Sequence, residues 1–150
     1  NEGRENVGAG FVGEAGVGSG VFYLYLCIDT DQLVRNLGGD TELAKSAVAA
    51  LVEAAATVAP NGKQASFASR VRSHFILAEK GSAQPRTLAS AFAKAIDPKK
   101  AMEESHKRLL EMRDKFAKAY DENVPAITMD MENGEHSLAE VIEFATSWKV

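Results

Sequence analysis

Apolar residues recur with two different periods along this chain, and the changes of period mark its elements. Residues 21–29, VFYLYLCID, are apolar on both sides of a two-residue repeat. Phe22, Leu24, Leu26 and Ile28 fall on one side; Val21, Tyr23, Tyr25 and Cys27 fall on the other. A strand of that kind is expected in the middle of a sheet, covered on both faces. Asp29 or Thr30 can cap a short helix, DQLVRNL, which Gly38 and Gly39 stop. Asp40 caps the next helix and Pro60 ends it. Leu43, Ala44, Ala47, Val48, Leu51, Val52, Ala55 and Val58 make one stripe. Ala49, Ala50, Ala54 and Ala56 extend it round the helix, so close packing and near-complete burial are expected.

Asn61 and Gly62 turn the chain, and a second strand is expected over about 73–80, where Phe75 and Leu77 alternate with His74 and Ile76. Strand, helix and strand in this order form a β-α-β unit. Its strands should be parallel with a right-handed crossover, either adjacent or with another strand between them. A short helix follows over 87–96, broken at Asp97–Pro98. A longer one over about 100–120 carries Met102, Leu109, Leu110, Arg113, Phe116 and Tyr120 near one face. Residues 126–131 read as a short strand, Asn133–Gly134 as a turn, and Ser137 with Glu140 as the capping box of a last helix. That helix buries Leu138, Val141, Ile142, Ala145 and Trp148. The fold class is therefore α+β, and 150 residues suit one domain.

Composition adds bounds. The chain is 45% hydrophobic and 25% charged, ordinary for a globular protein. No apolar run reaches the ~20 residues of a membrane helix, and no signal peptide is visible. Cys27 stands alone, so no internal disulfide forms and no Cys/His cluster suggests zinc. A reducing, cytoplasmic setting is expected. The net charge of −4 is unevenly spread. Lys63, Arg70, Arg72, Lys80, Arg86, Lys94, Lys99 and Lys100 crowd one stretch that holds only Glu79 and Asp97 as anions. Such a block attracts phosphate backbones or simply forms a solvated surface.

Gly8, Gly10 and Gly13 match G-x-G-x-x-G within a stretch that holds seven of the first 20 residues as glycine. The dinucleotide turn works because a strand delivers those glycines to a helix N-terminus. Here a polar heptapeptide precedes them and a strand follows, so the mechanism is missing and no cofactor is expected. His74, His106 and His136 are far apart in sequence. His106 and His136 read as surface residues; His74 sits in a strand beside the basic loop, where core or surface packing is expected ahead of RNA contact. No nucleophile elbow and no helical metal-ligand pair is present. Asp29 and Asp31 read as helix-capping groups. Tyr23 and Tyr25 sit in apolar company and read as a covered sheet face rather than base-stacking platforms. The remaining candidate is GKQASFASR, residues 62–70. Lys63, Arg70 and Arg72 suit phosphates, Gln64, Ser66 and Ser69 suit sugars or base edges, and Phe67 suits stacking or anchoring.

Four stretches in order, GSGVFYLYLCIDTDQLVRNLGG, the Ala-rich helix, PNGKQASFASR and QPRTLASAFAKAI, carry a resemblance. The chain resembles the C-terminal half of the CasC-family backbone subunit of the type I-E CRISPR Cascade complex. The match is strongest at residues 19–25, 36–39 and 62–68. The resemblance implies an RRM-like (ferredoxin-like) half-domain with extra C-terminal helices, lacking the family's first strand and helical finger region. It divides the chain into a glycine-rich thumb segment (1–20), the C-terminal half of the core (21–96) and a C-terminal helical extension (97–150).

It also implies a non-catalytic role in antiviral defence. Copies of the subunit line up along CRISPR RNA, beside target-strand DNA, neighbouring copies and other Cascade subunits, with no membrane. Phe11, Val12 and Gly13 fall where the family inserts its thumb beside the guide. Glu14 departs from the threonine expected there, which places the wedge on Phe11 and Val12. Lys63 and Gln64 match the family's RNA-contacting loop; Ser66, Arg70 and Arg72 extend it by chemistry. The missing first strand would lie between the two strands of the β-α-β unit. The polypeptide is accordingly expected to be an excised piece that self-associates or repacks to fill the slot. A generic RNA-binding module and a small nucleotide-dependent enzyme are the rival readings.

Overall fold

The computed structural model describes Gly16 and residues 18–62 and 67–149. Among these, α1 (Thr30–Asn36) and α2 (Thr41–Thr57) precede β1 (Phe75–Glu79). Two 3-10 turns, Ala89–Phe92 and Pro98–Lys100, lead into the long α3 (Ala101–Tyr120). β2 (Ala126–Asp130) and α4 (Leu138–Thr146) complete the order. The architecture is α+β.

The helix boundaries follow local chemistry. The Asp29 carboxylate accepts from Gln32 N at 2.8 Å and opens α1. Gly38 and Gly39 close it with φ of 67° and 90°, and Gly39 N donates back to Val34 O at 2.9 Å. A side chain at either glycine would meet the steric penalty of the left-handed region. Asp40 accepts from Leu43 N at 2.9 Å and opens α2. At α4 the capping box is complete. Glu140 N donates to Ser137 Oγ at 3.3 Å, and Ser137 N donates to Glu140 Oε2 at 2.7 Å.

β1 and β2 pair antiparallel, from Phe75 opposite Asp130 to Glu79 opposite Ala126. Their two faces are covered differently. α4 packs against both strands, and α2 packs on α4. α3 reaches the other face, where the His106 ring stacks on Phe75 at 4.6 Å and Arg113 donates to Glu79. Val141 of α4 is fully buried at this junction, and Ala44, Val48 and Ala56 are buried on α2. Asp130 ends β2 and fastens the following turn. Its carboxylate accepts from Glu132 N at 2.9 Å and from Asn133 Nδ2 at 2.8 Å.

Four expectations from the sequence are corrected. Residues 21–29 form no ladder among the described residues, and the segment is not a covered central strand: Phe22 is 85% and Leu24 65% exposed. The apolar alternation is real, but β1 takes β2 as its partner and none of the described segments pairs with 21–28. The parallel β-α-β unit does not form among the described residues, for the same reason. The stretch over 87–96 forms only the turn Ala89–Phe92. Its main-chain groups are taken by side chains: Leu88 N donates to the Tyr23 hydroxyl at 3.1 Å, Ala89 N to Thr87 Oγ1, and Arg108 claims Lys94 O at 2.8 Å. Pro98 then bars continuation. α2 is only partly buried, with Leu43 51% and Leu51 42% exposed, because α4 covers a single side of it. The other elements stand within a few residues of expectation.

The capping box shifts a charge. Hydrogen bonds from the Ser137 main chain and side chain hold the Glu140 carboxyl below the usual glutamate range. A depressed folded-state value means this contribution is present above the unfolded value and is lost as pH falls through the folded one. Urea midpoints measured between about pH 5 and pH 3 should therefore show a shallower acid loss for Glu140→Gln than for the wild-type chain.

Candidate nucleic-acid interface

The basic block divides into inward and outward groups once the chain is folded. Arg86 turns inward. Its side chain is 18% exposed, and its Nη1 and Nη2 donate to the two Glu79 carboxylate oxygens at 2.9 and 3.2 Å. Arg113 Nε donates to the same carboxylate at 2.9 Å, and its Nη2 donates to Val124 O at 2.9 Å. The Arg86 guanidinium also lies 5.6 Å over the Phe116 ring and 3.9 Å from Glu122. One half-buried carboxylate thus serves two arginines from different parts of the chain, which fixes α3 against β1. Lys80 is spent in a similar way. Its Nζ donates to Ser147 Oγ at 2.7 Å and sits 4.1 Å over the Phe144 ring, at the end of α4.

Arg70, Arg72, Lys94, Lys99 and Lys100 remain exposed, and none enters an ion pair among the described residues. Arg70 and Arg72 lie on the loop between α2 and β1. Ala68 holds a left-handed φ of 46°, and Arg70 N donates to Ala68 O at 2.8 Å. The loop is then stitched to the end of α2 by Ser73 N on Ala56 O at 2.9 Å. Phe67, Arg70, Val71 and Arg72 all face solvent here, Phe67 at 44% and Val71 at 63% exposure. Two exposed guanidiniums and an exposed aromatic ring on one loop are the equipment for phosphate pairing and base stacking. His74, also exposed, ends the run.

Lys63, Gln64 and Ser66 lie outside the described residues, as do Phe11, Val12, Gly13 and Glu14. The described part of the loop therefore carries Phe67, Arg70 and Arg72, all exposed.

His106 corrects another expectation. It is buried, 8% exposed, with Nδ1 3.3 Å from Asp130 Oδ1. The two groups are close but do not form a hydrogen bond. Periodicity placed His106 on a charged helix. No local signal places Phe75 and Asp130 beside it, since both arrive through strand pairing. An open cleft of about 400 Å³ lies here, lined by His106, Lys107, Glu103, Glu111, Asp114 and Glu132 among others. Its carboxylates outnumber its cations, so it repels phosphate and stands apart from the Arg70–Arg72 loop. His136 is exposed, its Nδ1 2.9 Å from Thr128 O. Among the described residues, no group of His, Cys, Asp and Glu side chains is arranged to hold a metal ion. No helix among them is long and apolar enough to cross a membrane.

The model of the CT1975-like protein family, Cas_CT1975, matches residues 1–147. The chain belongs to this CRISPR-associated family. No curated protein matches it. The match runs through the glycine-rich opening, the Arg70–Arg72 loop and the helices beyond, so the loop is part of the family region.

The division of the basic block is testable by stability alone. Arg86→Ala strands a half-buried Glu79 carboxylate with one arginine fewer and should cost about 1–3 kcal/mol. Arg70→Ala and Arg72→Ala should each stay within about 0.5 kcal/mol of wild type. Thermal or urea unfolding of the three variants reads the difference directly.

Proposed function

We propose that this chain is an RNA-binding backbone subunit of a type I-E Cascade complex, supplying binding and geometry rather than catalysis. The observation that carries the reading is the exposed loop with Phe67, Arg70 and Arg72, its two arginines in no ion pair among the described residues, inside a chain of a CRISPR-associated family. Arg70 and Arg72 neutralise successive phosphates of a guide RNA, and Phe67 offers a face for a base. Lys63, Gln64 and Ser66 extend the same loop toward sugar and base edges. Phe11, Val12 and Gly13 act as the wedge of a thumb beside the guide. Neighbouring copies, the other Cascade subunits and the target DNA strand assemble around the RNA, in the prokaryotic cytoplasm.

Sequence-independent contacts of this kind leave a signature in salt. Each phosphate neutralised on single-stranded RNA contributes about 0.7 to the slope of log affinity against log salt. Replacing Arg70 and Arg72 together by alanine should lower the slope by roughly 1.4 and weaken binding about ten-fold at low salt. Fluorescence anisotropy with a guide-length RNA measures both quantities. An unchanged slope would remove the loop from the interface. Sedimentation with RNAs of increasing length separates the backbone role from a generic RNA-binding module. The backbone role adds copies stepwise with length, and the generic module does not.

A further inference from the structure

The chain carries two Asn–Gly pairs, Asn61–Gly62 and Asn133–Gly134, and both are exposed. The pair has a chemistry of its own. The main-chain nitrogen after an asparagine can attack the side-chain amide carbon, and glycine, with no Cβ, lets the two approach closely. The space where a side chain would stand is empty to 4 Å at Gly62 and at Gly134, so neither approach is obstructed. The hold on the asparagine differs. Asn133 sits in a closed turn, where Asp130 N donates to Glu135 O and Glu135 N to Asp130 O, each at 3.1 Å. Its Nδ2 donates to Asp130 Oδ2 at 2.8 Å, and Asp130 is only 3% exposed. Turning the Asn133 amide toward Gly134 N breaks a charge-assisted bond to a buried carboxylate. Asn61 follows Pro60 beyond the end of α2. Among the described residues no hydrogen bond reaches its side chain or Gly62 N.

We propose that Asn61 is a site of spontaneous deamidation, which places a carboxylate at the head of the basic loop, while Asp130 guards Asn133 from the same reaction. Base removes the Gly62 N–H proton, and that nitrogen bonds to Asn61 Cγ. The bond from Cγ to Nδ2 breaks, and Nδ2 takes a proton from water and leaves as ammonia. A succinimide ring remains. Water then adds to one of the two ring carbonyl carbons and opens the ring. Cleavage between Cγ and the Gly62 nitrogen gives aspartate. Cleavage between the main-chain carbonyl carbon and that nitrogen gives isoaspartate, in which the chain continues through the former side chain. Either product exchanges a neutral amide for a carboxylate, and nothing is oxidised or reduced. The new charge stands two positions before Lys63, on the segment that leads to Arg70 and Arg72. A carboxylate there opposes phosphate. That consequence rests on the RNA-binding reading; the modification itself does not.

Peptide mass mapping of the full chain, aged in warm, mildly alkaline buffer, reads both pairs in one sample. Asn61 should convert from amide to acid at least about ten-fold faster than Asn133, the factor that one charge-assisted hydrogen bond provides. Ageing in urea removes the hold of Asp130 and should bring the two rates within about two-fold of each other. Asn133 converting as fast as Asn61 in the folded chain overturns the inference. A ratio that urea leaves unchanged also overturns it, because flanking sequence and not structure would then set the rates. The mapping uses no RNA, so it stands or falls apart from the RNA-binding reading. The consequence is read by anisotropy with guide-length RNA. The aged chain and Asn61→Asp should both bind about two- to five-fold more weakly than fresh protein at low salt, and Asn61→Gln should keep its affinity on ageing. Unchanged affinity in Asn61→Asp, or an equal loss in aged Asn61→Gln, overturns the link between this asparagine and the loop.

Discussion

The antiparallel ladder between Phe75–Glu79 and Ala126–Asp130 is the contact that the described fold depends on. It closes a long loop, from Lys80 to Pro125, whose ends meet at an entropic cost on the order of 3 kcal/mol before any contact offsets it. The offset comes from both faces at once. α4 covers one side and buries Val141, while α3 lays His106 on Phe75 and Arg113 on Glu79 across the other. Glu79 is the link between these levels. It is a strand residue, yet its carboxylate fastens α3 through Arg113 and the segment after β1 through Arg86.

That arrangement decides what the surface can do. A carboxylate with two arginine partners removes Arg86 from the pool of cations facing solvent, and the Phe144 ring with Ser147 removes Lys80. What stays outside among the described residues is Lys94, Lys99 and Lys100 together with the loop that carries Phe67, Arg70 and Arg72. The acidic cleft beside His106 lies elsewhere and has the opposite sign. A chain with a net charge of −4 can therefore still present a local phosphate-binding feature, because charge acts within a Debye length of about 8–10 Å and not over the whole molecule.

Open hydrogen-bonding capacity is the second constraint. Residues 21–28 have the composition of a buried strand and the surroundings of an exposed one. Among the described residues nothing reconciles the two. Tyr23 fixes the segment from one face through the Leu88 main chain, and Phe22 and Leu24 face solvent on the other.

Local chemistry determined much of this protein from the sequence. Asp29, Asp40 and Ser137 with Glu140 open their helices where expected, and Gly38–Gly39 close α1, because caps and left-handed turns depend on neighbours two to five residues away. The strands at 75–79 and 126–130 were legible from alternation, and the Arg70–Arg72 loop from its charge and its place between a helix and a strand. Partnership was decided only in three dimensions. Alternation says that a segment has two faces, but not which strand pairs with it; 21–28 and 75–79 look equally eligible, and only the second finds a partner among the described residues. Charge along the chain could not separate Arg86 from Arg70, since the difference is a Glu79 carboxylate shared with Arg113. His106 became a buried side chain for the same reason: its neighbours, Phe75 and Asp130, come from strands that lie beside α3 only after the ladder has formed.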